Sequence, residues 1–160
     1  VDLNSVAESA AGLLNNIIKK STHHFEMRLE KQLPRIMGDF RKLEQVVINL
    51  VQNACQALAS PAQRIVVSTC CDRKQRQIIL KVKDEGGGIK EEDIKFIKEP
   101  FFTTRRGSGG TGLGLSVSSR IIDDHGGTLH FKSAAGKGTT AEIRFPVYKK
   151  KVKGGKENDG

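Results

Sequence analysis

Apolar residues recur along this chain with two different periods, and the switches between them mark out its elements. Over residues 2–20, Leu3, Val6, Ala10, Leu13, Leu14, Ile17 and Ile18 fall at helical spacing, which predicts one amphipathic helix. Residues 23–29, HHFEMRL, alternate as a strand does, and Leu33–Ile36 is a short apolar piece containing Pro34. Asp39 is a suitable N-cap for a long helix over 40–59, which ends before Pro61. Arg64–Cys71 and Gln77–Lys83 are β-rich runs joined by the polar turn DRKQR, the pattern of an antiparallel hairpin. A short helix is predicted near 91–98, then a glycine-rich segment, then a helix over about 113–125 closed by Gly126 and Gly127. Thr128–Ser133 and Thr139–Val147 form a final hairpin around AAGKG. Helices and antiparallel strands mix without a regular βαβ repeat. The expected fold class is α+β: a two-layer sandwich with helices on one face of a mixed, mostly antiparallel sheet.

The 160 residues suffice for one domain with a hydrophobic core, and no internal repeat or second domain is visible. No run approaches the ~20 apolar residues of a transmembrane helix, so no membrane contact is expected. The start, VDLNSVAESA, has neither the basic beginning nor the apolar core of a signal peptide. It lacks an initiator Met, and the chain is expected to be a fragment of something longer. The three cysteines, Cys55, Cys70 and Cys71, cannot all pair, and they make no metal-ligand spacing with the four histidines. Reduced cysteines in a cytoplasmic protein are the expectation. The net charge of +9 raises the question of nucleic acid. Part of it comes from Lys149, Lys150, Lys151, Lys153 and Lys156, in a polar stretch over 149–160 expected to be a disordered tail. There is no aromatic interleaving and no basic recognition helix, so nucleic acid is not an expected partner.

Candidate chemistry gathers in four places. The segment Phe101–Leu115, FFTTRRGSGGTGLGL, is rich in glycine, carries Arg105 and Arg106, and runs into a helix. Backbone N–H groups at a helix start bind anions, and neighbouring arginines add charge. The long helix carries a stripe of uncharged amides, Gln45, Asn49, Gln52, Asn53 and Gln56, beside its apolar face of Val46, Val47, Leu50, Val51, Ala54 and Leu58. Asn is a poor helix former, so the stripe suggests a face turned to a polar ligand. Asn49 and Asn53 are four apart and share a face, and their carbonyl oxygens suit Mg²⁺. Asp84-Glu85-Gly86-Gly87-Gly88-Ile89 follows an apolar strand. An acid there can accept a hydrogen bond from a flat amine-bearing ring, which glycines allow to approach. Gly136-Lys137-Gly138-Thr139, alone, reads as a hairpin loop. No Walker A sequence and no HRD or DFG element of protein kinases is present. Residues 107–112, GSGGTG, spell GxGxxG, but FFTTRR precedes them where a strand is required.

NLVQNA at 49–54, DEGGGI at 84–89, EPFFTT at 99–104, GTGLGL at 110–115 and GKGTT at 136–140 together resemble, in order, the N, G1, F, G2 and G3 regions of sensor histidine kinases. The resemblance covers about residues 1–148. It implies the Bergerat ATP-binding fold shared with gyrase-type topoisomerases, MutL-type repair proteins and heat-shock chaperone ATPases. It implies ATP and Mg²⁺ as ligands, with Asn53 on the metal and Asn49 facing the phosphates one turn earlier. Asp84 matches the acceptor of the adenine amino group, and Gly86, Gly88 and Ile89 fall in the same adenine pocket, with Thr139 supporting Asp84 through water. Gly110, Thr111, Gly112, Leu113, Gly114 and Leu115 match the phosphate cradle. Phe101–Gly109 match a mobile lid, which includes Phe101 and Thr103. Arg105 or Arg106 would reach the terminal phosphate.

One position implies a kinase rather than a hydrolase. Hydrolysing members carry a general-base Glu four residues before the metal Asn, where this chain has Asn49, which takes no proton at neutral pH. Many sensor kinases carry Lys or Arg three residues after the metal Asn; this chain has Gln56. The phosphoacceptor pattern is missing: His23-His24 lie in an expected strand and precede Phe25, and His125 precedes Gly126-Gly127. The resemblance therefore implies an ATP-binding catalytic domain over 21–148, with residues 1–20 as a linker helix. It would donate phosphate to a His on a separate dimerisation domain, and a response regulator would be an indirect partner. An anti-sigma-factor-type Ser/Thr kinase and a non-catalytic ATP-sensing module are alternatives on the same fold.

Overall fold

The computed structural model describes residues 1–88, 114–133 and 136–149. The helix expected near 91–98, the lid segment through Leu113 and the tail beyond Lys149 lie outside them.

The first helix comes out as two. α1 (Leu3–Leu13) is capped by Asp2, whose carboxylate accepts from the Asn4 N–H at 3.0 Å. Gly12 is unfavourable in a helix interior. Two residues on, Leu14 leaves helical geometry (φ −96°, ψ 9°), and α2 (Asn15–Ser21) begins. Leu3, Val6, Ala7, Ala10, Leu14 and Ile18 are buried, whereas Leu13 and Ile17, expected on that side, are 67% and 43% exposed. These two helices share the core of the rest of the chain. Asn4 donates to the Glu30 carbonyl at 2.8 Å and accepts from the Thr69 hydroxyl at 2.6 Å. Val1 and Ile36 exchange backbone hydrogen bonds of 2.8 and 2.9 Å.

Among the described residues five strands form one sheet, in the order β1-β2-β3-β5-β4. β1 (His24–Leu29) runs parallel to β2 (Arg64–Asp72). β3 (Gln77–Asp84), β5 (Thr139–Pro146) and β4 (Thr128–Ser133) continue antiparallel. The alternation of each strand sends one set of side chains toward the helices. Register aligns Leu29, Thr69, Leu80, Ile143 and Leu129 in one row across that face, and Met27, Val67, Val82, Ala141 and Phe131 in the next. The expected α+β arrangement, a mixed sheet with helices on one face, is the one found.

α3 (Phe40–Ala57) is the central helix, and α4 (Gly114–Asp124) lies beside it. Asp39 caps α3 as expected, accepting from the Lys42 N–H at 3.2 Å. Leu43, Val46, Val47, Leu50, Val51, Ala54 and Cys55 are its buried side. His125 joins the end of α4 to the start of α3. Its Nδ1 donates to the Ile121 carbonyl at 2.7 Å, and its Nε2 accepts from the Asp39 N–H at 3.1 Å. The ring stands edge-on to Phe145 at 6.4 Å.

The other sheet face is laced with charge. Arg144 donates to Glu142 at 3.0 Å and lies 3.6 Å from Asp72, while Lys81 approaches Glu142 at 3.6 Å. Burial alone would raise the Glu142 carboxyl, but the Arg144 hydrogen bond and the charges of Arg144, Lys81 and Lys132 outweigh it and hold it below its ordinary value. A lowered carboxyl contributes stability above its unfolded value, and that contribution is lost as pH falls through the folded value. Glu142→Gln is therefore expected to cost about 1 kcal/mol at neutral pH. Denaturant titrations of both proteins should converge once the pH is well below the ordinary glutamate range.

Candidate functional site

α3 meets a loop and a helix that are far apart in sequence, and a second loop joins it through the first. The first lies at its C-terminal end. β3 ends at Asp84, whose side chain is 6% exposed and points to the helix-covered face. Its Oδ1 accepts from the Gly86 N–H at 2.9 Å, which folds the chain back into a turn. The Gly87 N–H donates to the Ala57 carbonyl at 3.2 Å. Gly86 packs so closely on Ala57 that a Cβ there would overlap the Ala57 carbonyl, so no larger residue fits without moving backbone. Glu85 faces outward and accepts from the Arg64 N–H at 2.7 Å.

The second meeting point is the loop between β4 and β5. Thr139 is the Cα partner of Asp84 in the ladder, and Ser133 is the partner of Thr139 on the other side. The Ser133 hydroxyl donates to the Gly138 carbonyl at 2.9 Å and lies 2.7 Å from the Thr139 hydroxyl. Gly138 has φ +82°, and a Cβ there would overlap the Asp84 carbonyl. The Gly136 N–H donates to the Gly87 carbonyl. What looked like an ordinary hairpin loop is thus bonded to the Asp84 turn.

The third is the start of α4. The Asn49 amide donates to the Gly114 carbonyl at 3.1 Å and to the Ser118 hydroxyl at 2.9 Å. Its Oδ1 accepts from Gln45 at 2.8 Å. Asn53, one turn further along α3, is half-buried, as are Gly88, Leu115 and Thr139, while Gln56 is exposed. Cys55 lies beneath this end of α3. Burial pushes its thiol up, a hydrogen bond with Ser21 opposes that, and the Asp84 charge raises it further, so the thiol stays neutral.

Of the residues singled out in the sequence, the structure brings Asn49 onto Gly114, and the Asp84–Gly87 turn onto Thr139's loop and the end of α3. Ile89, Phe101, Thr103, Arg105, Arg106, Gly110, Thr111, Gly112 and Leu113 lie outside the described residues. Two participants escaped sequence reasoning. Ser118 is fully buried at a place where the apolar stripe of α4 is broken by a hydroxyl, a legible signal. Ser133 left none, because a serine at a strand end is unremarkable.

The family model for histidine kinase-, DNA gyrase B- and HSP90-like ATPases matches residues 38–149. A putative sensor protein of Shewanella frigidimarina is 43% identical over 147 residues, which are 92% of this chain and 22% of that protein. The sensor histidine kinase ZraS of Escherichia coli is 34% identical over 147 residues, 92% of this chain and 30% of its own length. The chain thus spans less than a third of either relative. Among solved structures, the nucleotide-free catalytic domain of histidine kinase ThkA superposes with a TM-score of 0.79 at 30% identity, covering 92% of this chain and 93% of that one. With the motifs assembled around α3 as described, the chain belongs to the histidine kinase-, DNA gyrase B- and HSP90-like ATPase family, as an ATP-binding catalytic domain of the sensor histidine kinase kind.

Proposed function

We propose that this chain binds Mg-ATP between α3, the Asp84 turn and the start of α4, and transfers the γ-phosphate to a histidine on a dimerisation domain outside this sequence. A response regulator would receive the phosphate next. The observation that carries the reading is that three distant motifs join into one assembly on α3: Gly86–Gly87 at Ala57 and Gly114 at Asn49 directly, and the Gly138 loop through Asp84. In this reading Asp84 accepts from the adenine amino group, with Gly86, Gly88 and Ile89 against the ring and Thr139 beside the carboxylate. The phosphates run along Asn49 and Asn53 to the Gly110–Leu115 cradle, with Gln56 at the exposed edge. Phe101, Thr103 and the lid arginines, Arg105 or Arg106, would cover them. ATP as substrate is consistent with a cytoplasmic location for this part of the protein.

Among the described residues no cluster of His, Cys, Asp or Glu could hold a metal by itself. A site of amide oxygens fits Mg²⁺ when the triphosphate supplies the remaining ligands. Asn53 would hold the ion, which would neutralise phosphate charge during transfer. Hydrolysis instead needs a base to activate water. Asn49 cannot serve, and Glu44 accepts a hydrogen bond from Ser9 of α1 rather than facing α4. This supports transfer to a protein acceptor over hydrolysis.

Calorimetry provides the test. Asp84→Asn is expected to weaken ATP binding about tenfold or more, since a charged acceptor is lost. Asn53→Ala should weaken binding with Mg²⁺ far more than binding without it. Unchanged affinity in both variants would remove the assignment. Gly86→Ala should cost about 1–3 kcal/mol of stability, because the Ala57 backbone must move. In transfer assays with labelled ATP and separately prepared dimerisation domains, the label should be acid-labile, as phosphohistidine is. Acid-stable label would point to a hydroxyl acceptor and contradict the proposal.

A further inference from the structure

We propose that Ser118 is a positioning residue that, together with the Gly114 carbonyl, holds the Asn49 amide with its NH₂ against α4 and its oxygen on the open side. The inference rests on the ATP-binding reading above and deepens it. A side-chain amide can turn either its NH₂ or its carbonyl oxygen toward a ligand, and the two do opposite things. An outward NH₂ donates to a phosphate oxygen. An outward oxygen accepts, from a metal-bound water or as a ligand to the metal itself.

The surroundings of Asn49 choose between them. The Gly114 carbonyl only accepts, so the NH₂ must face α4. The Ser118 hydroxyl, 0% exposed and 2.9 Å away, takes an N–H as well. Oδ1 is thereby turned away from α4, where it meets Gln45, an exposed side chain. Water can replace that glutamine at little cost, whereas at the fully buried Ser118 loss of the acceptor leaves an amide N–H without that partner. Asn49 therefore keeps an oxygen, rather than an N–H donor, on its open side, where a metal-bound water or the metal itself can take the place of Gln45. The sequence placed Asn49 opposite the phosphates without fixing its orientation; the Gly114 carbonyl sets it, and the buried Ser118 hydroxyl takes the second N–H and holds it there.

The test uses Ser118→Ala and Ser118→Cys, the second of which restores most of the volume without a comparable acceptor. The first readout needs no nucleotide: exchange of the Asn49 side-chain NH₂ protons with solvent, followed by NMR and assigned through Asn49→Ala. The wild type should exchange slowly, and both variants about fivefold faster or more. The second readout is the gain in ATP affinity on adding Mg²⁺, which should shrink about fivefold in both variants while Mg-free ATP affinity holds. Wild-type exchange and Mg²⁺ gain in both variants would overturn the inference. So would restoration of both by the cysteine, which would mean that Ser118 only fills space. If the wild type itself binds no ATP, the functional reading fails, and amide exchange still judges the orientation of Asn49.

Discussion

The contact between the C-terminal end of α3 and the Asp84–Gly87 turn is the constraint on which the rest of this molecule depends. A glycine pressed onto the Ala57 carbonyl and a single N–H bond from Gly87 fix where β3 ends relative to the helix. That fixes the depth of the Asp84 carboxylate, buried at the edge of the core. It also sets the distance along α3 from Asp84 to the amide stripe. Because the close approach is backbone to backbone, rotamer changes cannot adjust it. The pocket is built to one geometry.

The same helix ties that geometry to the rest of the fold. Its N-terminal end is held through His125 to the end of α4, and its middle through Asn49 to the beginning of α4. Its opposite side lies against α1, where Ser9 bonds Glu44. The result is an asymmetric helix: a carboxylate spent on structure on one side and amides directed to the site on the other. Under the proposed reading, that arrangement offers no base to water from α3 and leaves positioning and charge neutralisation as the chemistry.

Much of this was legible in the sequence, for identifiable reasons. α3 announced itself through its Asp39 cap, its apolar periodicity and an amide stripe that a solvated face would not carry. The strands were clear from their alternation, whereas the rows across the sheet came only with the register. The break at Leu14 was not, because apolar spacing continues through it, and only the cost of Gly12 and the two asparagines after it hinted at a second helix. Nor did the sequence reveal that residues 1–20 share the main core. That depends on Asn4, Thr69 and Glu30, which meet only once β1 and β2 are paired. The Gly138 loop looked ordinary because its partner, Asp84, is more than fifty positions away. Ser118 could have been noticed, as a hydroxyl at a buried position of α4, but its partner could not.

The most direct test of this account is a crystal structure of the chain with Mg²⁺ and a non-hydrolysable ATP analogue. The account predicts the adenine amino group within hydrogen-bonding distance of the Asp84 carboxylate, the phosphates along the Asn49–Asn53 face beside the start of α4, and Asn49 with its NH₂ still held on Gly114 and its oxygen outward. A nucleotide bound elsewhere, or with its base away from Asp84, would contradict it.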